Sequence, residues 1–406
     1  MIKLKDILGY NKIQNIFALY VLIWSITPPI QFGTLFRVIA VISVSMWLLL
    51  SLSKNFEGKK IFVSLIVAIV SFGLLAPLFR HFGGEPYGLC FTKNMNILIF
   101  LLNGAITVYY LLNDRRFLVS AFWVCIFLFT IFSLTTLYAY QTMPGVSRQL
   151  VKASEDNVEL AKMGVGGYGH VYSMLFVVIT VLYLFIYESK KIFKIVYLAI
   201  AALGSVLIFQ SGYLTSNILL LVIYGLFFSG VFLLNDYPKI LRNFIVVGII
   251  AVSFAGTISA YRNNIINALD GTLYQAKVED IFMSIDNNES EGKLEGRTSR
   301  YSDSFVGQFK YCITGAYIFD AEDEIGGHST LMDMLAYFGI ASIGFYISIK
   351  NILVRISQDC QDKGYFFVTV IIFLALGFLN TYSMHIGVSA FLLTAGATTY
   401  IKGNYN

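Results

Sequence analysis

The stretch Gly326-Gly327-His328-Ser329-Thr330-Leu331 sets a histidine between a glycine pair and an apolar run that continues through Asp333, Leu335, Gly339 and Gly344. An imidazole can be neutral near physiological pH and take up a proton, and the glycines let the backbone approach a ligand. Upstream stands Gly296-Arg297-Thr298-Ser299-Arg300-Tyr301. Arginine offers a permanently charged planar fork that makes two hydrogen bonds to phosphate oxygens. A base beside an anion binder is a pairing that can take a proton from one group while holding a negatively charged one. Arg297 and Arg300 are the candidates for the anion and His328 for the base. Tyr301, Phe305 and Phe309 follow at helical spacing, which puts Arg300 at the start of a short helix with an aromatic face.

The elements that must position these residues are membrane helices. Aliphatic, aromatic and cysteine residues make up 57% of the 406 residues and charged residues 13%, against about 25% charged in an ordinary soluble domain. The apolar residues fall into runs separated by charged clusters, each long enough to cross a hydrocarbon core as helix. Twelve spans are expected, at 13–32, 35–52, 61–79, 95–112, 117–140, 170–187, 192–210, 214–234, 242–260, 328–348, 365–382 and 385–401. Two long connections, 141–169 and 261–327, hold most of the polar sequence.

Alternate connections are basic, with Lys54, Lys59 and Lys60, then Arg115 and Arg116, Lys190, Lys191 and Lys194, Lys239 and Arg242, Lys350, Arg355 and Lys363, and Lys402. Connections near Ser211 and Ser383 have none. Because cytoplasmic helix ends carry the excess of Lys and Arg, both termini are expected in the cytoplasm and both long loops outside. The net charge of +5 follows from this bias, so no nucleic-acid partner is expected. The first apolar run ends in Pro28-Pro29 without a small-residue cleavage site, and is expected to stay as the first helix.

On this topology His81, His170, His328 and His385 all lie at outer helix ends or loops. Asp333 is the acidic residue clearly inside a span, where such groups are costly and either satisfied locally or functional. The outer loop 262–327 holds twelve of the 24 acidic residues and six basic ones, so its arginines are expected to act locally. Asn264 to Ile285 is expected as an amphipathic helix on the membrane surface, Asp286 to Gly296 as a flexible stretch, and Asp320 to Glu324 as a solvated face. That acidic run lacks the spacing of a calcium loop. No metal or cofactor is expected.

Gly296-Arg297 and Ser299-Arg300-Tyr301 in a large outer loop, then His328-Ser329-Thr330-Leu331, Asp333, Leu335 and Gly339 on the next helix, together resemble the Wzy-type O-antigen and capsular polysaccharide polymerases. The related O-antigen ligases share this layout. A second, fainter match is Gly166-Gly167-Tyr168-Gly169-His170-Val171-Tyr172-Ser173. The resemblance implies an all-α, polytopic, GT-C-like glycosyltransferase of the bacterial inner membrane. Its donor and acceptor would both be glycans linked to undecaprenyl pyrophosphate, with catalysis on the periplasmic side. A chain-length regulator, a flippase and membrane lipid are the implied partners. Tyr301, Asp333, His170 and Tyr172 become candidate substrate-binding residues. Many members carry Ser-Arg where this chain reads Gln210-Ser211-Gly212-Tyr213, so Arg148, Arg262 or Arg297 is expected to supply that charge. Two alternatives stay open: a ligase that transfers glycan to lipid A core, and a twelve-helix flippase or solute transporter.

Overall fold

The computed structural model describes residues 12–52, 59–68, 70–71, 75–82, 84, 87–143, 146, 155–260, 262–271, 275 and 293–405. Among them there is no strand. The helices are α1 (Lys12–Ile26), α2 (Thr34–Leu52), α3 (Lys59–Ala68), α4 (Ala76–Phe82), α5 (Tyr87–Asn113), α6 (Arg115–Thr142), α7 (Glu155–Lys162) and α8 (Tyr168–Tyr187). They continue as α9 (Lys191–Ser211), α10 (Leu214–Phe228), α11 (Tyr237–Ala260), α12 (Arg262–Ala268), α13 (Lys293–Lys310), α14 (Thr330–Phe338), α15 (Ile343–Asp359) and α16 (Lys363–Leu379). The chain closes with α17 (Met384–Asn404), which contains a π turn at Val388–Leu392.

Seven segments among the described residues are long and apolar enough to cross a membrane: α2, α6, α8, α9, α17, the Asn94–Asn113 part of α5, and Thr330–Asp359, which joins α14 to α15. Helices α1, α10 and α16 are shorter and apolar. The chain is a helical membrane protein. Helix α8 is apolar around its circumference, and every residue from His170 to Leu184 is buried among α6, α9, α10, α16 and α17. Helices α2 and α9 lie at the periphery and expose Leu35, Val41, Leu49, Ile192, Ile195 and Phe209. An apolar surface of that extent is what hydrocarbon covers.

Most expected spans coincide with single helices, and the exceptions are informative. The segment 13–32 is interrupted at Thr27, because Pro28-Pro29 open a separate short helix, Pro28–Gln31. The segment 61–79 is split between α3 and α4. The segment starting at 328 breaks at Gly339, which has φ +53°, and resumes after a 3-10 turn, reaching Asp359. The break is held from outside the helix, since the Ile340 amide donates to the Ile313 carbonyl at 3.1 Å. In the large loop, Lys293 to Gly296 belong to α13, not to a flexible stretch. Of the surface helix expected over 264–285 the structure describes 264–268 as the end of a helix begun at Arg262 and 269–271 as a turn with Gly271 at φ +73°, so the helix does not continue through that point, and 272–274 and 276–285 lie outside the described residues.

The two sets of connections gather at opposite ends of the bundle. At one end Arg115 pairs with Asp359 at 2.7 Å, Lys402 reaches the same carboxylate at 3.5 Å, and Tyr183 and Tyr187 both donate to Asp362 at 2.6 Å. At the other end the starts of α8, α14 and α17 meet the ends of α6 and α16. If a bilayer separates these ends, Ser302→Cys and Gln358→Cys in a cysteine-free background should be labelled from opposite sides of sealed vesicles. Labelling of both by a membrane-impermeant maleimide added on one side would refute that arrangement.

Candidate functional site

Helix α13 carries both arginines, with Arg297 one turn before Arg300, and continues to Lys310. Arg300 is exposed and Tyr301 half-buried. Phe305 and Phe309 pack edge to face at 5.1 Å and are themselves exposed. The opposite side of α13 is polar and buried against α14. Ser304 Oγ lies 2.9 Å from the Arg300 carbonyl oxygen and 2.5 Å from Asp333 Oδ1. Asp333 Oδ2 accepts from the Ser329 amide at 2.8 Å. Ser329 Oγ in turn accepts from the Met332 amide at 3.2 Å, a reciprocal cap that satisfies the first free donors of a helix. Gln308 Nε2 adds a bond to the Met332 carbonyl at 2.8 Å. Both oxygens of buried Asp333 are thus engaged, and it joins α13 to the start of α14.

The loop between α13 and α14 is strapped at two points. Arg80 on α4, only 3% exposed, is ion-paired to Asp320 and Glu322, donates to the Tyr317 carbonyl at 3.2 Å and stands over the Tyr317 ring at 4.8 Å. Glu324 is bound by Lys310 and by the Tyr311 hydroxyl. Those two hydrogen bonds hold the Glu324 carboxyl below the usual glutamate range, so this strap is complete at neutral pH and is lost only as pH falls through that lowered value. Three of the four carboxylates of the acidic run are thus paired, yet the run is a largely solvated face as its composition implies, with Asp320, Asp323 and Glu324 exposed.

From the second strap the chain crosses α13 so closely that a Cβ on residue 326 would collide with the Arg300 carbonyl oxygen. Gly326 is what permits this crossing. Gly327 follows at φ +68°, and His328 sits exposed on the rim immediately before the Ser329 cap. Arg300, His328 and Asp333, nominated separately by the sequence, therefore belong to one junction of α13 and α14.

His170 and His385 lie in the layer beneath, reached through the connection between α16 and α17. The Thr330 amide donates to the Asn380 carbonyl at 3.2 Å, and the Tyr382 amide to Thr330 Oγ1 at 2.6 Å. His170 is fully buried, with Nε2 3.1 Å from Ser133 Oγ and its ring 5.6 Å from that of Phe129. Tyr172 is buried and stacks parallel on Tyr213 at 6.0 Å, while Tyr168 packs on Tyr172 at 4.5 Å. The segment Gln210 to Tyr213, which carries no arginine, thus contributes an aromatic ring there. Helix α12 begins with Arg262. The Arg262 and Arg297 side chains and all of Arg148 lie outside the described residues.

Sequence reasoning passed over Arg80, Ser304, Arg37 and the Gln31–His385 contact. Arg37 and Arg80 carried a signal: both are cations at outer helix ends, apart from the two long loops that hold most of the outer basic residues. Among the described residues no three His, Cys, Asp or Glu side chains are placed to hold a metal ion. Replacing Arg80 by Ala should leave global unfolding nearly unchanged, because its partners stay hydrated. The lost bonds amount to about 1–3 kcal/mol of local stability. Hydrogen exchange across 315–327 should accelerate roughly in proportion, by about 5- to 150-fold; unchanged protection there would refute the strap.

Compared with known proteins, the chain matches no family model, no curated relative and no solved structure.

Proposed function

We propose that this protein is a Wzy-type polymerase, joining repeat units carried on undecaprenyl pyrophosphate into O-antigen or capsular polysaccharide at the outer face of the bacterial inner membrane. The observation that carries this reading is the crossing of Gly326 over the Arg300 backbone, which brings an exposed arginine and an exposed histidine to one rim. The resemblance of the same residues to that family gives the substrate class. Both termini would be cytoplasmic and the α13–α14 junction periplasmic, in keeping with the basic connections at the opposite end.

In this reading the acceptor sugar hydroxyl gives its proton to His328 as its oxygen bonds to the anomeric carbon of the donor chain. The bond from that carbon to the pyrophosphate oxygen breaks, and the electron pair leaves with the pyrophosphate. Arg300, with Arg297 one turn away, compensates the charge of the leaving group, and a fork geometry suits two phosphate oxygens better than an ammonium does. Asp333 and Ser304 act as positioning residues, fixing α13 against the helix that His328 precedes. Tyr301 is assigned to the glycan or its lipid carrier, whereas His170 and Tyr172, both buried, pack the layer beneath the junction and are not open to substrate. A flippase would supply the substrate from the cytoplasmic side, and a chain-length regulator would set the product.

Purified protein incubated with a synthetic lipid-linked repeat unit should give a ladder of polymer on a gel. His328→Gln, which keeps hydrogen bonding but loses the strong base, should cut the rate by about 10²- to 10⁴-fold. Arg300→Ala should cut it by about 10²- to 10³-fold, and Arg300→Lys by less. Full-length ladders at normal rate from both His328→Gln and Arg300→Ala would sink the assignment of this junction as the active site.

A further inference from the structure

The side of α13 turned away from α14 is apolar, although the loop that carries it is rich in charge. Phe305, Val306 and Phe309 share one face of the helix, and Ile313 extends that face in the turn after Lys310. Each of the four is more than half exposed, Phe309 and Ile313 at 70%. Ser304, Gly307 and Gln308 hold the opposite face against α14. Asp303 and Lys310 border the apolar stripe on its Val306 side, and Lys310 is paired with Glu324. Helix α4 repeats the pattern. Leu78, Phe79 and Phe82 are exposed on it, while Arg80 is turned inward onto Asp320 and Glu322.

What covers this face follows from where α13 ends. Helices α13 and α14 run side by side in the same direction: Ser304 meets Asp333, a Cβ on Gly307 would lie 3.3 Å from Ala336 Cβ, and the Ile313 carbonyl takes the Ile340 amide at 3.1 Å. The end of α13 is therefore level with the break at Gly339. That break lies inside Thr330–Asp359, a segment long and apolar enough to cross a membrane. Past it, Ile340 and Ile343 are exposed, and Ile347 and Val354 carry an exposed stripe down α15 at helical spacing. Beside α15, α3 exposes Val63 and Val67, and Val67 Cγ1 would lie 3.5 Å from a Cβ on Gly344. Such stripes on the flank of a membrane bundle face hydrocarbon. The apolar face of α13 joins them through Ile313 and Ile340.

We propose that α13 and α4 form a foot seated in the bilayer leaflet at this end, with Phe305, Phe309, Ile313, Phe79 and Phe82 among the acyl chains and Asp303 at the water edge. The partner is the hydrocarbon of the surrounding lipid, and no particular headgroup is required. Helices with one apolar face and charges along its border lie in a membrane interface in this way. The inference rests on the chain being a membrane protein and not on the glycosyl-transfer reading. It makes the large loop a part of the membrane surface: α13 is gripped by Asp333 on one face and by lipid on the other.

The test places single nitroxide labels on the full chain in lipid vesicles, in a cysteine-free background, at Phe309→Cys, Phe79→Cys, Asp303→Cys and, on peripheral α2, Val41→Cys. Each label is read for collision with oxygen, which concentrates in hydrocarbon, and with a water-soluble nickel chelate. The oxygen-to-nickel ratio at 309 and at 79 should approach that at 41 and exceed that at 303 by about ten-fold. A ratio at 309 or at 79 no higher than at 303 overturns the proposal. Dipolar broadening between labels at 309 overturns it as well, because a second copy of the chain would then cover the face. The unsubstituted protein gives a further readout. A diazirine on the acyl chain of phosphatidylcholine should label 305–313, located by mass spectrometry, and failure to label that stretch refutes the foot even where a spin-labelled variant does not insert.

Discussion

Hydrocarbon offers no hydrogen-bond partner, so every interruption of a helix within this bundle must be closed by the protein itself. The interruptions and the means of closing them are concentrated at one end. Gln31 Nε2 closes the Ser25 carbonyl left open before Pro28, and the Ile313 carbonyl takes the amide freed at Gly339. Thr330 closes two groups of the α16–α17 connection, at Asn380 and Tyr382. Buried Asn103 reaches the Met384 carbonyl at 3.1 Å. The polar chemistry there and the irregular backbone there are one consequence of the same constraint.

Charge is distributed by a related logic. At the opposite end the basic residues are many, mostly exposed, and held by a few shared carboxylates such as Asp359. At the histidine end three arginines are individually placed. Arg80 is buried and closes a strap, Arg37 lines a cavity, and Arg300 stands exposed one turn before Ser304, which locks the same helix to Asp333. A surface arginine among equals contributes little. An arginine that departs from the topological bias has a local reason, and in two of these cases the structure supplies it.

The helices were legible because their length and apolar content are properties of contiguous sequence. Breaks were not, since they depend on partners far along the chain, such as Ile313 for Gly339 and Gln31 for His385. The same division holds at the site. His328, Arg300 and Asp333 could be nominated from neighbouring residues, whereas Ser304 reads as an ordinary helix serine until Asp333 is brought beside it. The pairing within the acidic run was hidden for the same reason. Its composition indicates a solvated face, which it is, but the cation bound to Asp320 and Glu322 comes from α4, in the first quarter of the chain.

The strap also explains how an exposed histidine can have a defined position. His328 is held by the backbone on either side of it: Ser329 is fixed by its cap and by donating to the Gly377 carbonyl at 3.0 Å, and Gly326 is fixed by its crossing of α13. Behind Gly326 the loop is anchored by Arg80 and Lys310. Burial could have fixed the side chain as it fixes His170 and His385, yet a buried ring is closed to anything arriving from water. Anchoring the two flanks while leaving the ring exposed resolves that conflict between precision and access, and it does so with ion pairs lying outside the apolar core.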